Sequence, residues 1–329
     1  MPEPANRDPS TATLAIVTAS DQTFVPLLEG WLGSLAKASL PPGTRLFVVD
    51  LGLQEQTRIR LEARGVTVIG NAQIVDTIGV ADLPLELLSV YIRPFLPRLV
   101  PGFDILLWID SDCWIQTGDA IARCVEAVRG VEFACCAEAD RNYLGFWRHD
   151  PYGSPAFGSG NIESYLSDLF EAWLARHFSA DLGHHLRNCP LLNTGVLCMW
   201  SQSPVWDGWR DFYLKAIAAA PDLHSKQHAK ADFMLELLSF NGLVRSRDYP
   251  FNVLPATFNW LIHLCYPALS ATGLLIEPNY PYAPIDIVHL SAGAKWRDFK
   301  LNRHSAQGRA GAALEPHSVR SPHIVNLRD

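Results

Sequence analysis

The sequence predicts an α/β protein whose central sheet is mostly parallel and flanked by helices. Three observations carry that prediction. From Thr13 to Ala137 short apolar runs alternate with segments of helical spacing, and such alternation closes into a parallel sheet through right-handed crossovers. The 329 residues are 48% hydrophobic and 19% charged, which supplies a large core and excludes an extended disordered chain. No apolar run approaches the roughly 20 residues that span a bilayer.

Taken in order, residues 1–12 are polar and read as a loose leader without a signal-peptide pattern. Thr13 to Ala19 has the length of a buried strand. Ser20 and Asp21 can cap the next helix, where Phe24, Leu27, Leu28, Trp31, Leu32 and Leu35 share one face. A Pro-Pro-Gly break at 41–43 leads to a second strand, Arg45 to Asp50. Leu53 to Arg64 is helical, and Val66 to Ile69 is a third strand. Leu83 to Leu99 predicts a helix interrupted by Pro94 and Pro97, and Asp104 to Ile109 a fully buried strand. Next in the chain are a helix over 118–128 and a strand from Val131 to Ala137. Residues 141–160 are rich in glycine, proline and aromatics and predict an ordered binding loop or lid. Then come a helix from Ile162 to Phe178, a strand from Leu191 to Trp200, helices over 205–219 and 229–240, and a last strand from Ile285 to Leu290.

The net charge of −7 argues against a nucleic-acid binder, whose affinity comes from neutralising phosphates. The charge is unevenly spread, because residues 295–329 hold seven Lys/Arg against three Asp/Glu. That basic tail, 298–329 in the domain division, suits a solvated terminus, and it equally suits a weak peripheral contact with anionic lipid. The seven cysteines form no Cys-x-x-Cys pair and read as reduced core residues. A cytoplasmic protein, in contact at most with the inner face of the membrane, is the expectation.

The chemistry-bearing segment is Ile105-Leu-Leu-Trp-Ile-Asp110-Ser111-Asp112. A buried strand delivers the residues just past its end to the carboxyl edge of the sheet, where open α/β folds place their ligands. Two carboxylates there repel each other and suffer desolvation, and an oxygen-loving divalent cation relieves both. A phosphatase using the first Asp as nucleophile would want Gly-Thr or Gly-Val after the second, on the first strand. Here Cys113 and Trp114 come next, and three strands precede. His289 ends the last predicted strand and can offer a third ligand, although a lone strand-end histidine is more often structural.

Five segments in order make the chain resemble glycosyltransferase family 8. They are Leu14 to Leu35, Tyr91-Ile92-Arg93, Asp110-Ser111-Asp112, Leu192-Asn193-Thr194-Gly195-Val196, and His289 with Lys295-Trp296 beyond it. The resemblance implies a GT-A fold, a Rossmann-like nucleotide-diphospho-sugar transferase architecture, over residues 13–297. Its nucleotide- and metal-binding half would be 13–140 and its sugar and acceptor half 141–297. It implies a retaining, metal-dependent transferase using a UDP-sugar, with Mn2+ or Mg2+ on Asp110, Asp112 and His289. Ala19, Ser20, Asp21 and Phe24 would meet the uracil, Ser111 the ribose, Arg93 a phosphate or ribose oxygen, and Thr194 the donor. Lys295 would neutralise the departing diphosphate. Asp140, Asn193 and Asp232 are the candidates for the donor sugar and the chemistry.

The departures from the family pattern lie in the second half. Ala231-Asp232-Phe-Met-Leu235-Glu236 stands where Asp-Gln and then Leu-Asn are usual, and no proline separates Lys295 from Trp296. Trp147, Tyr152, Phe157 and Trp260 offer faces on which an acceptor sugar could stack. The expectation is a hexosyltransferase moving glucose or galactose to a saccharide, glycolipid or protein acceptor. The rival is a catalytically silent domain of the same fold that binds nucleotide-sugar or a partner.

Overall fold

In the computed structural model, residues 7–78, 88–89, 91–145, 181, 189–218, 229–291, 299–300, 302–303 and 318–319 are described. The strands that matter are, in chain order, β1 (Leu14–Ser20), β2 (Arg45–Asp50), β3 (Val66–Ile69), β4 (Ile105–Ile109), β5 (Cys113–Ile115), β6 (Phe133–Ala137), β7 (Leu192–Trp200), β8 (Phe251–Leu254), β9 (Trp260–Leu261), β10 (Ala268–Leu269), β11 (Leu275–Ile276) and β12 (Ile287–His289). The helices are α1 (Val25–Leu35), α2 (Glu55–Ala63), α3 (Asn71–Ile78), α4 (Ala120–Glu126), α5 (Pro204–Ala218) and α6 (Ala229–Ser246).

Seven strands form the main sheet in the order β3-β2-β1-β4-β7-β6-β8. The first four are parallel neighbours, and β7 alone runs against the rest. Both faces are covered, as a largely parallel sheet requires. Ala15, Val17 and Trp108 pack on one side with Trp209 of α5 and Phe240 of α6. Leu14, Ile16 and Leu107 pack on the other with Trp31 of α1 and Ile121 of α4. Alternate residues of one strand thus serve opposite layers. The expected fold class is the observed one.

The reversal of β7 positions the site. In the β4–β7 ladder Ile109 lies opposite Val196, so the start of β7 meets the end of β4, and the Asp110 amide donates to the Gly195 carbonyl at 2.9 Å. On its other edge β7 bulges. Cys135 pairs with Leu197, whereas Cys136 pairs with Asn193, so Thr194, Gly195 and Val196 have no partner in β6. Bulges re-aim side chains beside functional sites. A small second sheet then carries His289 in. β12 runs antiparallel to β5, with His289 opposite Cys113, and parallel to β9.

The interruption expected at Pro94 and Pro97 is there, as a 3-10 turn at Arg93–Phe95 and a single helical turn at Leu96–Leu99. Pro94 and Pro97 each lack the amide that a continuous helix needs. In other elements the structure differs from the sequence reading: helix α6 runs on to Ser246, and α3, β5 and β8 are additional. The helix from Ile162 to Phe178, residues 146–160 of the expected lid and most of the basic tail lie outside the described residues. None of the seven cysteines is in a disulfide, and five of them are buried. Among the described residues no helix is long and apolar enough to cross a membrane.

Candidate functional site

Asp110, Ser111 and Asp112 form the turn from β4 to β5, closed by the Cys113 amide on the Asp110 carbonyl at 2.9 Å. His289 Nε2 stands 3.3 Å from Asp112 Oδ1 and 3.7 Å from Asp110 Oδ2. Adjacent ligands on a small octahedral cation stand about 3 Å apart. Two carboxylates and an imidazole nitrogen are the donor types that an ion of the manganese or magnesium class takes, and His289 Nε2 stands near both carboxylates. The ligand atoms that all lie within 4.8 Å of one another, however, are those of Asp112, His289 and Cys113, without Asp110. Cys113 belongs to the apolar layer with Leu14 and Val196, and a thiol suits softer metals.

Asp110 is divided between two tasks. Its Oδ1 accepts from Arg93 at 2.6 Å and from the Trp108 indole at 2.7 Å, which leaves Oδ2 turned toward His289. Arg93 is buried, and its guanidinium lies over the Trp108 ring at 5.0 Å. It also donates to Thr194 at 2.9 Å and to Glu236 at 3.0 Å. Burial opposes its charge, but Asp110 and Glu236 more than offset that and hold Arg93 above its usual range. Glu236 is fully enclosed, and desolvation pushes its carboxyl up to about 7 against the pull of Arg93.

The other flank is made of neutral amides. His289 Nδ1 meets Asn259 Oδ1 at 2.8 Å, and Asn259 Nδ2 donates to Asn193 Oδ1 at 2.8 Å. That oxygen also accepts the Gly195 amide at 2.8 Å, while Asn193 Nδ2 donates to Glu138 at 2.6 Å. Gly195 lies at the seam. A Cβ there would stand 2.8 Å from His289 Cε1, 2.9 Å from Asn193 Oδ1 and 3.0 Å from Asp110 Oδ2.

The remaining candidates fall in distinct places. Ala19 and Ser20 are buried at the end of β1, and Asp21 accepts the Phe24 amide at 2.9 Å, capping the turn before α1. Phe24 is half-buried against the cluster that holds Leu27 and Trp260. Ser111 is buried between the two carboxylates. Asp140 accepts from the Asn142 amide and side chain, both at 2.8 Å, and so caps the turn Arg141–Gly145. Thr194 is enclosed in the Arg93–Glu236 network. Asp232 lies in α6 one turn before Glu236, and Lys295 lies outside the described residues. Trp260 is fully buried, while Trp147, Tyr152 and Phe157 lie outside the described residues. Sequence reasoning missed Trp108, Glu138, Asn259 and the role of Glu236. Only Trp108 carried a signal, since it sits two residues before Asp110 and so on the same side of the strand.

The fold is of the GT-A type, and an acidic pair lies at the carboxyl edge of its mostly parallel sheet. No protein-family model and no curated protein matches the chain. Solved structures do. The galactosyltransferase LgtC, in complex with donor and acceptor sugar analogs, is similar at a TM-score of 0.50 and 16% identity, over 95% of this chain and 94% of that one. An active-site mutant of LgtC is similar at 0.50 and 15%, with the same coverage. Mouse xyloside xylosyltransferase 1 in its apo form gives 0.47 and 13%, over 86% of this chain and 98% of that one. At these identities the two likenesses to LgtC, each at a TM-score of 0.50, establish the fold alone.

Proposed function

We propose that the protein is a metal-dependent retaining glycosyltransferase that moves a hexose, glucose or galactose, from a UDP-sugar to a saccharide, glycolipid or protein acceptor. The observation that carries this reading is His289 Nε2 standing 3.7 Å from Asp110 Oδ2 and 3.3 Å from Asp112 Oδ1 at the sheet edge. The LgtC fold, seen with donor and acceptor analogs, supports the substrate class. Asp110, Asp112 and His289 would hold a divalent cation, which would supply Lewis-acid neutralisation of charge on the leaving diphosphate. Arg93 and Trp108 hold Asp110 so that Oδ2 alone is presented, which avoids reorganisation during reaction. Ala19 to Phe24 offer backbone edges and a ring to the base, and Ser111 a hydroxyl to the ribose. Lys295, Asp140, Asn193 and Asp232 remain the candidates around the diphosphate and the sugar. The basic tail would tether the enzyme to anionic lipid when the acceptor is a glycolipid.

The test is a panel of UDP-, GDP- and CMP-sugars with manganese present or chelated, read by thermal stabilisation and by release of free nucleotide. Manganese-dependent stabilisation by a UDP-sugar with slow release supports the reading, and Asp110→Asn should lower turnover on the order of 100-fold or more while the fold persists. Stabilisation without release or transfer, across an acceptor screen, would favour the silent binding domain. No stabilisation by any nucleotide-sugar would overturn both.

A further inference from the structure

We infer that the Gly195 backbone amide, acting through Asn193 and Asn259, fixes the tautomer of His289, so that Nδ1 carries the proton and Nε2 faces Asp110 and Asp112 as a lone pair. The consequence for metal binding rests on the proposed cation site; the tautomer itself does not.

Each step is forced by the one before it. A backbone N–H can only donate, so the Asn193 atom 2.8 Å from the Gly195 amide is its oxygen. The Asn193 amide nitrogen therefore faces Glu138, a carboxylate, at 2.6 Å. The same Asn193 oxygen lies 2.8 Å from the Asn259 side chain, whose facing atom must then be a donor, Nδ2. That turns Asn259 Oδ1 toward His289 Nδ1 at 2.8 Å, and an amide oxygen accepts only. Reversing either amide would set donor against donor at Gly195 or acceptor against acceptor between the asparagines. Both asparagines are thus anchored to a group that cannot flip, and Asn259 is enclosed, where water cannot replace it. The bulge in β7 makes this arrangement, because the skipped pairing frees the Gly195 amide to bond a side chain in its own strand.

The partners of a metal-binding imidazole fix its ring and tautomer, and their loss typically weakens metal affinity 10–100-fold. Asn193 and Asn259 are in this sense positioning residues. Facing Asp110 and Asp112, the Nε2 lone pair is oriented to meet a cation placed beside the two carboxylates, which is how the relay would serve the proposed ion.

The experiment uses full-length, metal-free protein with 15N-labelled histidine, at a pH where the ring is neutral. Long-range proton–nitrogen correlations report which nitrogen is protonated, and His289→Gln identifies the His289 signals by their absence. The Nδ1-protonated form is expected. Asn259→Leu should shift the tautomer toward Nε2–H and weaken Mn2+ binding, measured by calorimetry, by about 10–100-fold. Asn259→Asp keeps an acceptor against Nδ1 and should retain Nδ1–H, although its second oxygen then opposes Asn193 Oδ1 and the link to Gly195 is lost; a purely packing role would not rank the two variants this way. A neutral His289 protonated on Nε2 in the wild-type protein overturns the inference. The expected tautomer without measurable Mn2+ or Mg2+ binding supports the relay and removes the metal reading.

Discussion

On the Asp110 flank of the site the polar contacts are ionic: Arg93 bridges Asp110 and Glu236 inside the protein. On the His289 flank, among the described residues, no cationic side chain is used, and two asparagines hand hydrogen bonds from one to the next between Glu138 and His289. The ionic flank leaves polar atoms over, since Arg93 Nε and Glu236 Oε1 are buried without a hydrogen-bond partner among the described residues. Asn193 and Asn259 each use both oxygen and nitrogen. The difference reflects the two jobs. Asp110 must be held in place against its own charge, which calls for a countercharge. His289 must be held in one protonation pattern, which calls for donors and acceptors that do not titrate.

The sharpest way to break this contrast is to remove the countercharge. Arg93→Leu leaves Asp110, about one-fifth exposed (21%), and the enclosed Glu236 (1%) without their countercharge. Removing one partner of a buried pair typically costs 3–5 kcal/mol. Urea unfolding of Arg93→Leu should show a loss of about that size, on a par with the whole margin of a weakly stable domain. A loss below about 1 kcal/mol would mean that the two carboxylates are neutral or hydrated, and the ionic description of this flank would fail.

A second test reads the same flank through pH. Glu236 is pushed up to about 7 from a usual 4.5, chiefly by desolvation. Its folded-state value lies above its unfolded one, so the folded protein holds the proton more tightly. The stability that this contributes is complete below about 4.5 and is lost as pH rises to about 7. The loss integrates to roughly 3 kcal/mol. Glu236→Gln carries no such proton, so the gap in unfolding free energy between the variants should open across that window and stay level above it. Equal slopes for wild type and variant would place the titration elsewhere.

How much of this could be read from the chain depends on the kind of signal each part leaves. β1 and β4 were legible because a strand buried on both faces is an unbroken apolar run, and the partly exposed β2 and β3 also fall where the sequence put them. Asp110, Asp112 and His289 were legible because two carboxylates after such a run, and a histidine ending another, are chemically conspicuous. The direction of β7 was not, since Leu191 to Trp200 is equally apolar read either way; nor was its bulge, a matter of register. Arg93 was visible as a candidate, but its partner Glu236 lies 143 residues further on. Asn259 and Glu138 left no trace, because a polar residue in a loop carries no period. In α3 only Ile74 and Ile78 are buried, too few to mark a helix. Sequence thus exposes the groups that bear charge at the sheet edge better than the groups that orient them.

Gly195 touches both flanks at once and gives the last, smallest test. Its backbone is not in the left-handed region, so alanine meets no conformational penalty there. The cost is contact: a methyl would press on His289, Asn193 and Asp110 at 2.8, 2.9 and 3.0 Å. His289 and Asp110 belong to opposite flanks, so the methyl must push them apart or tilt one of them. Gly195→Ala should therefore weaken Mn2+ binding on the order of tenfold, about 1.4 kcal/mol, by widening the separation of two ligand atoms. Gly33 in α1, where a Cβ meets nothing within 4 Å, is the matched control. There alanine should raise stability by roughly 0.5–1 kcal/mol and leave Mn2+ binding alone. If Gly195→Ala binds Mn2+ as the wild type does, Asp110 and His289 do not share a cation, and the two flanks serve separate ends.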